Sequence, residues 1–286
     1  MKKKDIYREV TAKIIESLEN NNRPWEAPYN NQGIIPLRST GENYRGINTV
    51  VLMMTAHNEG YTSPYWFTFN QAKALGAHVK KGELSTSIVF YKKLVLGDDD
   101  SELEDTKTIP MLKTYNVFNA CQIDGLSDKY THITDEGEKI PPIARCETFF
   151  GSIEANLVHK NMIPNYNPAT DTITCPSIDN FKTSELYYAT LGHEFGHWTG
   201  SKKRLDRLPP IIKKRSDSYY FEELVAELTA GFLMPLLGVK SLIDEEHAPY
   251  IKSYLRLLKD DEKMIFKASA QAQKAVDYLF SLSEGV

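Results

Sequence analysis

The chain has 286 residues, with 34 basic and 38 acidic side chains, a formal net charge of −4 and 41% hydrophobic residues. These values are typical of a globular protein and exclude an intrinsically disordered chain. No apolar run reaches the length of a membrane span, and the N-terminal segment MKKKDIYREV lacks the apolar core of a signal peptide. We therefore expect a cytoplasmic protein without a membrane partner. Cys121, Cys146 and Cys175 are scattered and odd in number, which predicts neither a disulfide framework nor a cysteine zinc site.

The N-terminal part begins with an amphipathic helix whose apolar residues recur at four-residue steps, namely Ile6, Val10, Ile14 and Leu18. A loop rich in Pro and Asn follows, then a helix near 49–58, a strand, and a short helix ending at Gly76. The segments STSIVFYKKLVL and TIPMLKTYNVFNA predict a β-hairpin, and the acidic segment 98–105 connects its strands. This order predicts a compact unit of mixed α/β structure.

Through Gly97, basic residues outnumber acidic ones and aromatic residues are frequent. Bases of a single strand stack on aromatic rings while Lys and Arg follow the phosphates, so this composition favours sequence-tolerant binding of single-stranded DNA. The predicted contacts are Trp25, Tyr44, Arg45, Asn48, Trp66, Lys80 and Lys81. Each of them can instead be structural, because aromatic residues in strands often pack a core and Asn48 can shape a loop.

A polar stretch at 127–142, with Gly137 and the pair Pro141-Pro142, predicts a linker between domains at 1–126 and 143–286. The second domain is expected to open with a helix over about 145–158 and a strand pair around 165–168 and 171–176. Helical segments follow to the C-terminus. The predicted fold class is therefore α+β.

The pentapeptide HEFGH places His193, Glu194 and His197 in an apolar segment with helix-forming character. Thr183 or Ser184 can cap this helix, and Gly200 is its expected end. Residues four apart share one face of a helix, so both imidazoles can bind one metal ion, with Glu194 as the catalytic base beside an open coordination position. Two imidazoles and a carboxylate favour Zn²⁺, although Mn²⁺ is an alternative.

A third metal ligand is expected in the segment EELVAEL at 222–228. Glu223 and Glu227 are four apart on a helix that is otherwise apolar, which is costly unless the carboxylates are paired or bind a metal. We assign Glu223 to the metal and Glu227 to the partner of a ligating histidine, with Glu222 and Glu227 as alternative ligands. Spacing alone identifies no residue that would stabilise an oxyanion.

Blocks spread over nearly the whole chain resemble the ArdC-type antirestriction proteins of plasmids and conjugative elements. They include PW at 24–25, TGENYRGIN at 40–48, KGE at 81–83, VFN at 117–119, QIDGL at 122–126, DTI at 171–173, YYATL at 187–191, WTG at 198–200, RLDR at 204–207 and EELVAEL at 222–228. The chain departs from the pattern at Gly192, where a larger apolar residue is expected to pack the metal helix better.

The resemblance implies an N-terminal single-stranded-DNA-binding domain joined to a C-terminal zincin-like metallopeptidase domain. It also implies that the protein protects the incoming DNA of a mobile element. Two hypotheses follow: a working zinc metallopeptidase with an unidentified protein substrate, or a DNA-binding shield whose metal site is structural and cleaves nothing. Glu194 favours the first, because a structural site has no need of a carboxylate beside the open position.

Overall fold

The protein is described from a computed structural model, which covers residues 5–20, 22–25, 35–96, 107–131, 142–209, 213–239 and 250–283. The acidic segment 98–105 lies outside these residues, as do residues 132–141 of the predicted linker. Among the described residues, no helix has the length and apolar character needed to cross a membrane.

The first part of the chain contains a four-stranded sheet with strands in the order β1-β2-β5-β4 and a separate pair, β3 and β6. Its elements are α1 (Ile6–Glu19), β1 (Leu37–Arg38), α2 (Ile47–Glu59), β2 (Tyr65–Phe67), α3 (Phe69–Ala74), β3 (His78–Val79), β4 (Thr86–Leu96), β5 (Lys107–Asn119), β6 (Ile123–Asp124) and α4 (Asp128–Thr131). The hairpin of β4 and β5 was predicted, and their antiparallel register, from Thr86 opposite Val117 to Leu96 opposite Lys107, confirms it.

Local signals explain where the first helices begin. The Asp5 side chain caps α1 by accepting a hydrogen bond from the backbone N–H of Tyr7 at 3.1 Å. Thr68 and Gln71 form a reciprocal capping box at the start of α3. Helix α1 then buries the apolar face that its four-residue periodicity predicted.

The second part combines a three-stranded sheet, in the order β7-β9-β8, with several helices. Its elements are α5 (Pro142–Ser152), β7 (Asn156–His159), β8 (Asn165–Asn167), β9 (Thr172–Cys175), α6 (Ser184–Thr199), α7 (Asp217–Leu236), α8 (Ile251–Asp260) and α9 (Met264–Leu282). The helix predicted to reach Val158 ends at Ser152, because Val158 pairs with Thr174 in a parallel ladder. The mixed helices and sheets confirm the predicted α+β class.

The largest apolar core contains residues from both parts of the chain. Helix α1 lies against the C-terminal helices, where Lys259 donates to Glu19 at 2.7 Å and the Thr11 hydroxyl donates to the Glu262 carbonyl at 2.7 Å. Trp25, which is 1% exposed, packs edge-on against Tyr254. The N-terminal segment therefore contributes directly to the packing of the C-terminal helices.

Helices α6 and α7 approach each other closely at two glycines of α6. A Cβ atom at Gly196 would lie 3.0 Å from the Cα atom of Ala226, and one at Gly192 would lie 3.0 Å from Cε of Met234. At position 192, where a larger residue was expected, the glycine already lies against the flexible end of Met234 and the side chain of Leu233. This close approach brings the histidines of α6 to the glutamates of α7.

Candidate metal centre

Helix α6 carries His193 and His197 on one face. Thr183 caps the helix by accepting from the backbone N–H of Leu186 at 3.2 Å, and Gly200 follows its last residue, as predicted. The Nε2 atoms of the two histidines lie 3.1 Å apart, and the His193 side chain is buried. Both imidazoles therefore direct the same ring nitrogen towards one point.

Glu223 of α7 reaches the same point from the facing helix. Its Oε2 lies 3.6 Å from Nε2 of His193, and its Oε1 lies 3.8 Å from Nε2 of His197. His193, His197 and Glu223 each offer one ligand atom, and these three atoms lie within 4.8 Å of one another. Tetrahedral zinc with bonds of about 2.0–2.2 Å separates its ligand atoms by about 3.3–3.6 Å. The predicted ligands thus form a donor set that fits a divalent metal ion.

Glu222 is the carboxylate that holds His197. Nδ1 of His197 lies 3.2 Å from Oε1 of Glu222, an arrangement that leaves Nε2 of His197 free to bind a metal. Glu227, the predicted partner of a ligating histidine, is buried beside Tyr254 five residues further along α7. Helical spacing alone cannot distinguish the two carboxylates, because the crossing of α6 and α7 decides which one faces His197.

Arg207, which sequence reasoning missed, fixes the position of Glu222. Its Nε donates to Oε2 of Glu222 at 2.8 Å and its NH2 group donates to Oε1 at 2.8 Å. The same NH2 group donates to the Gly196 carbonyl of α6 at 2.8 Å. Arg207 therefore ties the loop after α6 to both helices of the site. The available signal was the arginine in RLDR, one of the blocks that resemble ArdC proteins.

The buried acidic and basic groups of the site shift one another's pKa values towards the charged forms. Burial raises the pKa of Glu223, but hydrogen bonding from His193 and the positive charge of His197 outweigh it and lower that pKa to about 2. Burial likewise raises the pKa of Glu222, and the bonds from Arg207 outweigh it, so the pKa is lowered. Burial lowers the pKa of His197, whereas the Glu222 hydrogen bond and the charge of Glu223 raise it to about 9. Both carboxylates are thus held ionised.

Glu194, the predicted catalytic base, is buried at 5% exposure next to the predicted ligand His193. Its negative charge raises the pKa of His197. Burial, followed by the charge of Glu194, raises the pKa of the Cys175 thiol to about 12. Glu194 therefore lies close to the predicted metal ligands. Cys175, like Cys121 and Cys146, is a free thiol.

Tyrosines border the site on the side of α7 and α8. The hydroxyl groups of Tyr219 and Tyr250 are 3.1 Å apart. Tyr219 is four residues before Glu223 on α7 and hydrogen-bonds it, which helps to lower the pKa of Glu223. Burial, followed by the bond to Tyr250, raises the pKa of Tyr219, so its hydroxyl stays protonated. Sequence reasoning missed this tyrosine, although its spacing from Glu223 was a usable signal.

Three aromatic residues predicted to contact DNA are buried. Trp66 is 0%, Trp25 1% and Tyr44 7% exposed. Trp66 lies in β2, which is covered on both edges by β1 and β5. Their prediction as stacking platforms is corrected, because a nucleic-acid base cannot reach a buried ring.

The polar residues predicted to contact DNA differ in role: Asn48 is bonded within the fold, whereas the cationic residues lie at the surface. Asn48 bonds both backbone groups of Val89, donating to its carbonyl at 2.8 Å and accepting from its N–H at 2.9 Å, and so has a structural role. Arg45 pairs with Asp277 of α9. Lys80 donates to the Cys121 carbonyl at 2.9 Å, and Lys81 is exposed. Of these, the cationic residues remain at the surface.

Two family models match the chain. Residues 4–118 match the N-terminal domain of the anti-restriction factor ArdC, and residues 144–271 match a zincin-like metallopeptidase domain. The latter match contains the histidines and glutamates described above.

Relatives and solved structures resemble the chain over nearly its whole length. The uncharacterized protein y4eC of Sinorhizobium fredii (strain NBRC 101917 / NGR234) is 33% identical over 96% of this chain and 91% of its own. The DNA primase TraC of Escherichia coli is 32% identical over 99% of this chain, which spans 28% of that relative's length. Crystal structures of the antirestriction ArdC protein from the R388 plasmid match with TM-scores of 0.83 (metal-free; 42% identity, 98% of both chains) and 0.81 (Mn(II)-bound; 43% identity, 99% of both chains). The chain therefore belongs to the ArdC antirestriction family, with an ArdC N-terminal domain followed by a zincin-like domain.

Proposed function

We propose that this protein binds single-stranded DNA through its N-terminal domain and hydrolyses peptide bonds at a metal centre in its C-terminal domain. In this way it would protect the incoming DNA of a mobile element in the cytoplasm of the recipient cell. The observation that carries the hydrolytic part is the convergence of His193, His197 and Glu223 beside Glu194. We place the boundary between the two functions at residues 127–142.

His193, His197 and Glu223 are the residues that would hold the metal, with Glu222 orienting His197. When bound, a divalent ion supplies Lewis acidity and lowers the pKa of a coordinated water molecule. Glu194 is the base that accepts a proton at its carboxylate and passes it to the leaving amine. The Tyr219 hydroxyl hydrogen-bonds Glu223 and helps to keep that carboxylate ionised.

The donor set of two imidazoles and one carboxylate favours zinc. Manganese is the alternative, because the R388 relative has been crystallised with Mn(II). The metal-free and the Mn(II)-bound structures of that relative match this chain with TM-scores of 0.83 and 0.81.

DNA binding is supported by the match to the ArdC N-terminal domain and by the similarity to proteins named DNA primases. We propose single strands as the ligand because a conjugated element enters a cell in that form. In this proposal Arg45, Lys80 and Lys81 contact phosphates, which predicts salt-sensitive binding.

The test measures metal content, single-stranded-DNA affinity and cleavage of a denatured protein substrate for the wild type, His193→Ala and Glu194→Gln. We expect metal to be lost only in His193→Ala, and cleavage to be lost in both variants. Metal and DNA binding without any cleavage that depends on Glu194 would favour the DNA-binding shield. A wild-type protein that binds neither zinc nor manganese would refute the site.

A further inference from the structure

The β4–β5 hairpin has one face with exposed aromatic rings. Phe90 is 51% and Tyr115 47% exposed, although both are large apolar side chains. Their ring centroids are 6.3 Å apart, with an interplanar angle of 84°. Phe90 is opposite Lys113 in the register, and Ile88 is opposite Tyr115, so these side chains share one face. Water therefore reaches an adjacent aromatic pair that the fold leaves half open.

The same face is buried at the base of the hairpin. Val117 is 0% exposed, and Ile88 packs against the small core that contains Trp66. The opposite face is packed further out, where Val89 is buried and Leu112 contacts the main core. The rings of Phe90 and Tyr115 thus lie just where the four-stranded sheet gives way to a two-stranded ribbon. The fold places them beyond its own core on that face.

The charge beside the ring pair favours a polyanion as the occupant of this face. Lys113 is directly opposite Phe90 and two residues before Tyr115, and its side chain is exposed. Strands β4 and β5 contain no Asp or Glu that would offset this positive charge within the ladder. The acidic segment 98–105, which connects the two strands in the sequence, lies outside the described residues.

We propose that the face formed by Phe90, Lys113 and Tyr115 is where the protein stacks the bases of a single DNA strand. This inference rests on the proposed DNA binding and moves its aromatic contacts from the buried Trp25, Tyr44 and Trp66 to the hairpin. Exposed rings can stack on unpaired bases of any sequence, whereas the bases of a duplex are already stacked on each other. Lys113 neutralises a phosphate of the same strand.

The test measures the Kd of the full-length protein for fluorescently labelled oligo(dT) at several salt concentrations, with a duplex of equal length as competitor. Phe90→Ala and Tyr115→Ala should each raise Kd by about 5- to 150-fold. Phe90→Trp and Tyr115→Phe should retain affinity, and Phe90→Leu should not, because stacking needs an aromatic ring. Lys113→Ala should reduce the slope of log K against log salt by about 0.7.

Tyr91→Ala is the matched control. Tyr91 is 52% exposed and neighbours Phe90 in the strand, but its side chain points to the opposite face. Its affinity should equal that of the wild type, and circular dichroism should show that every variant is folded. Wild-type binding that survives Phe90→Ala and Tyr115→Ala, or equal affinity for the duplex, would overturn this inference alone. A wild-type protein that does not bind oligo(dT) at low salt would overturn the proposed DNA binding as well.

Discussion

Glu222→Gln tests whether the metal site depends on the carboxylate that the structure places against His197. The change keeps the size of the side chain but removes the charge that lies 3.2 Å from Nδ1 of His197. It also places an amide where Arg207 now makes two hydrogen bonds of 2.8 Å. Loss of such a partner typically weakens metal binding by about 10- to 100-fold, which corresponds to about 1.4–2.7 kcal/mol.

The same substitution should also lower the free energy of unfolding of the metal-free protein. Arg207 and Glu222 are only 5% and 7% exposed in their side chains. Removal of one partner from a buried ion pair leaves the other charge unpaired, at a cost of about 3–5 kcal/mol. We expect this loss in chemical denaturation followed by circular dichroism.

The assay is a zinc titration against a chelating indicator, at a temperature where circular dichroism shows every variant to be folded. Glu185→Gln is the control, because Glu185 lies in the first turn of α6, two turns before His193. We expect the control to change the zinc Kd much less than Glu222→Gln does. If Glu222→Gln leaves the zinc Kd unchanged, the assignment of Glu222 as the partner of His197 is wrong.

Three further predictions concern packing and charge. Trp25→Ala should lower the free energy of unfolding by about 3–5 kcal/mol in urea denaturation, while the folded variant keeps its affinity for oligo(dT), because the ring is buried. Gly196→Ala should lower the melting temperature and zinc affinity more than Gly192→Ala, since a Cβ at 196 meets the backbone of α7 and one at 192 meets a flexible side-chain end. Arg204 lowers the pKa of Asp171 to about 2, below its ordinary value of 3.8. The stability from that pair is therefore present above pH 3.8 and lost as the pH falls towards 2. Asp171→Asn should flatten this acid-dependent loss in thermal unfolding measured against pH.

The convergence of His193, His197 and Glu223 could be predicted in part because the spacing of the two histidines is local. His193 and His197 share a helix face by spacing alone, and an otherwise apolar helix with buried glutamates indicated where a third ligand would lie. Helical spacing placed Glu223 and Glu227 on one face of α7, but it did not decide which of Glu222, Glu223 and Glu227 would be the third ligand. Which carboxylate faces which histidine depends on how α6 crosses α7, and the sequence does not specify that angle.

The DNA contacts show a different limit. The sequence shows which residues have rings that can stack on a base. A ring can stack only if it is exposed, and its exposure depends on the tertiary structure. Trp66 is buried because helix α2 covers its face of the sheet with Leu52 and Ala56. Phe90 and Tyr115 are exposed because they lie on the part of the hairpin beyond the pairing of β2 with β5. The hairpin itself was predicted from two strand-forming segments on either side of an acidic segment. Its neighbours in the sheet were not.

Helix α7 connects the proposed metal site to the N-terminal segment. It carries Glu222 and Glu223, and a Cβ atom at its Gly231 would lie 2.9 Å from the carbonyl oxygen of Trp25. Gly231 thus lets the N-terminal segment approach the backbone of the ligand helix, as only glycine can at that distance. The N-terminal segment is therefore part of the support behind the metal ligands. The ligand geometry depends on the whole chain, even though every proposed ligand lies in its second half.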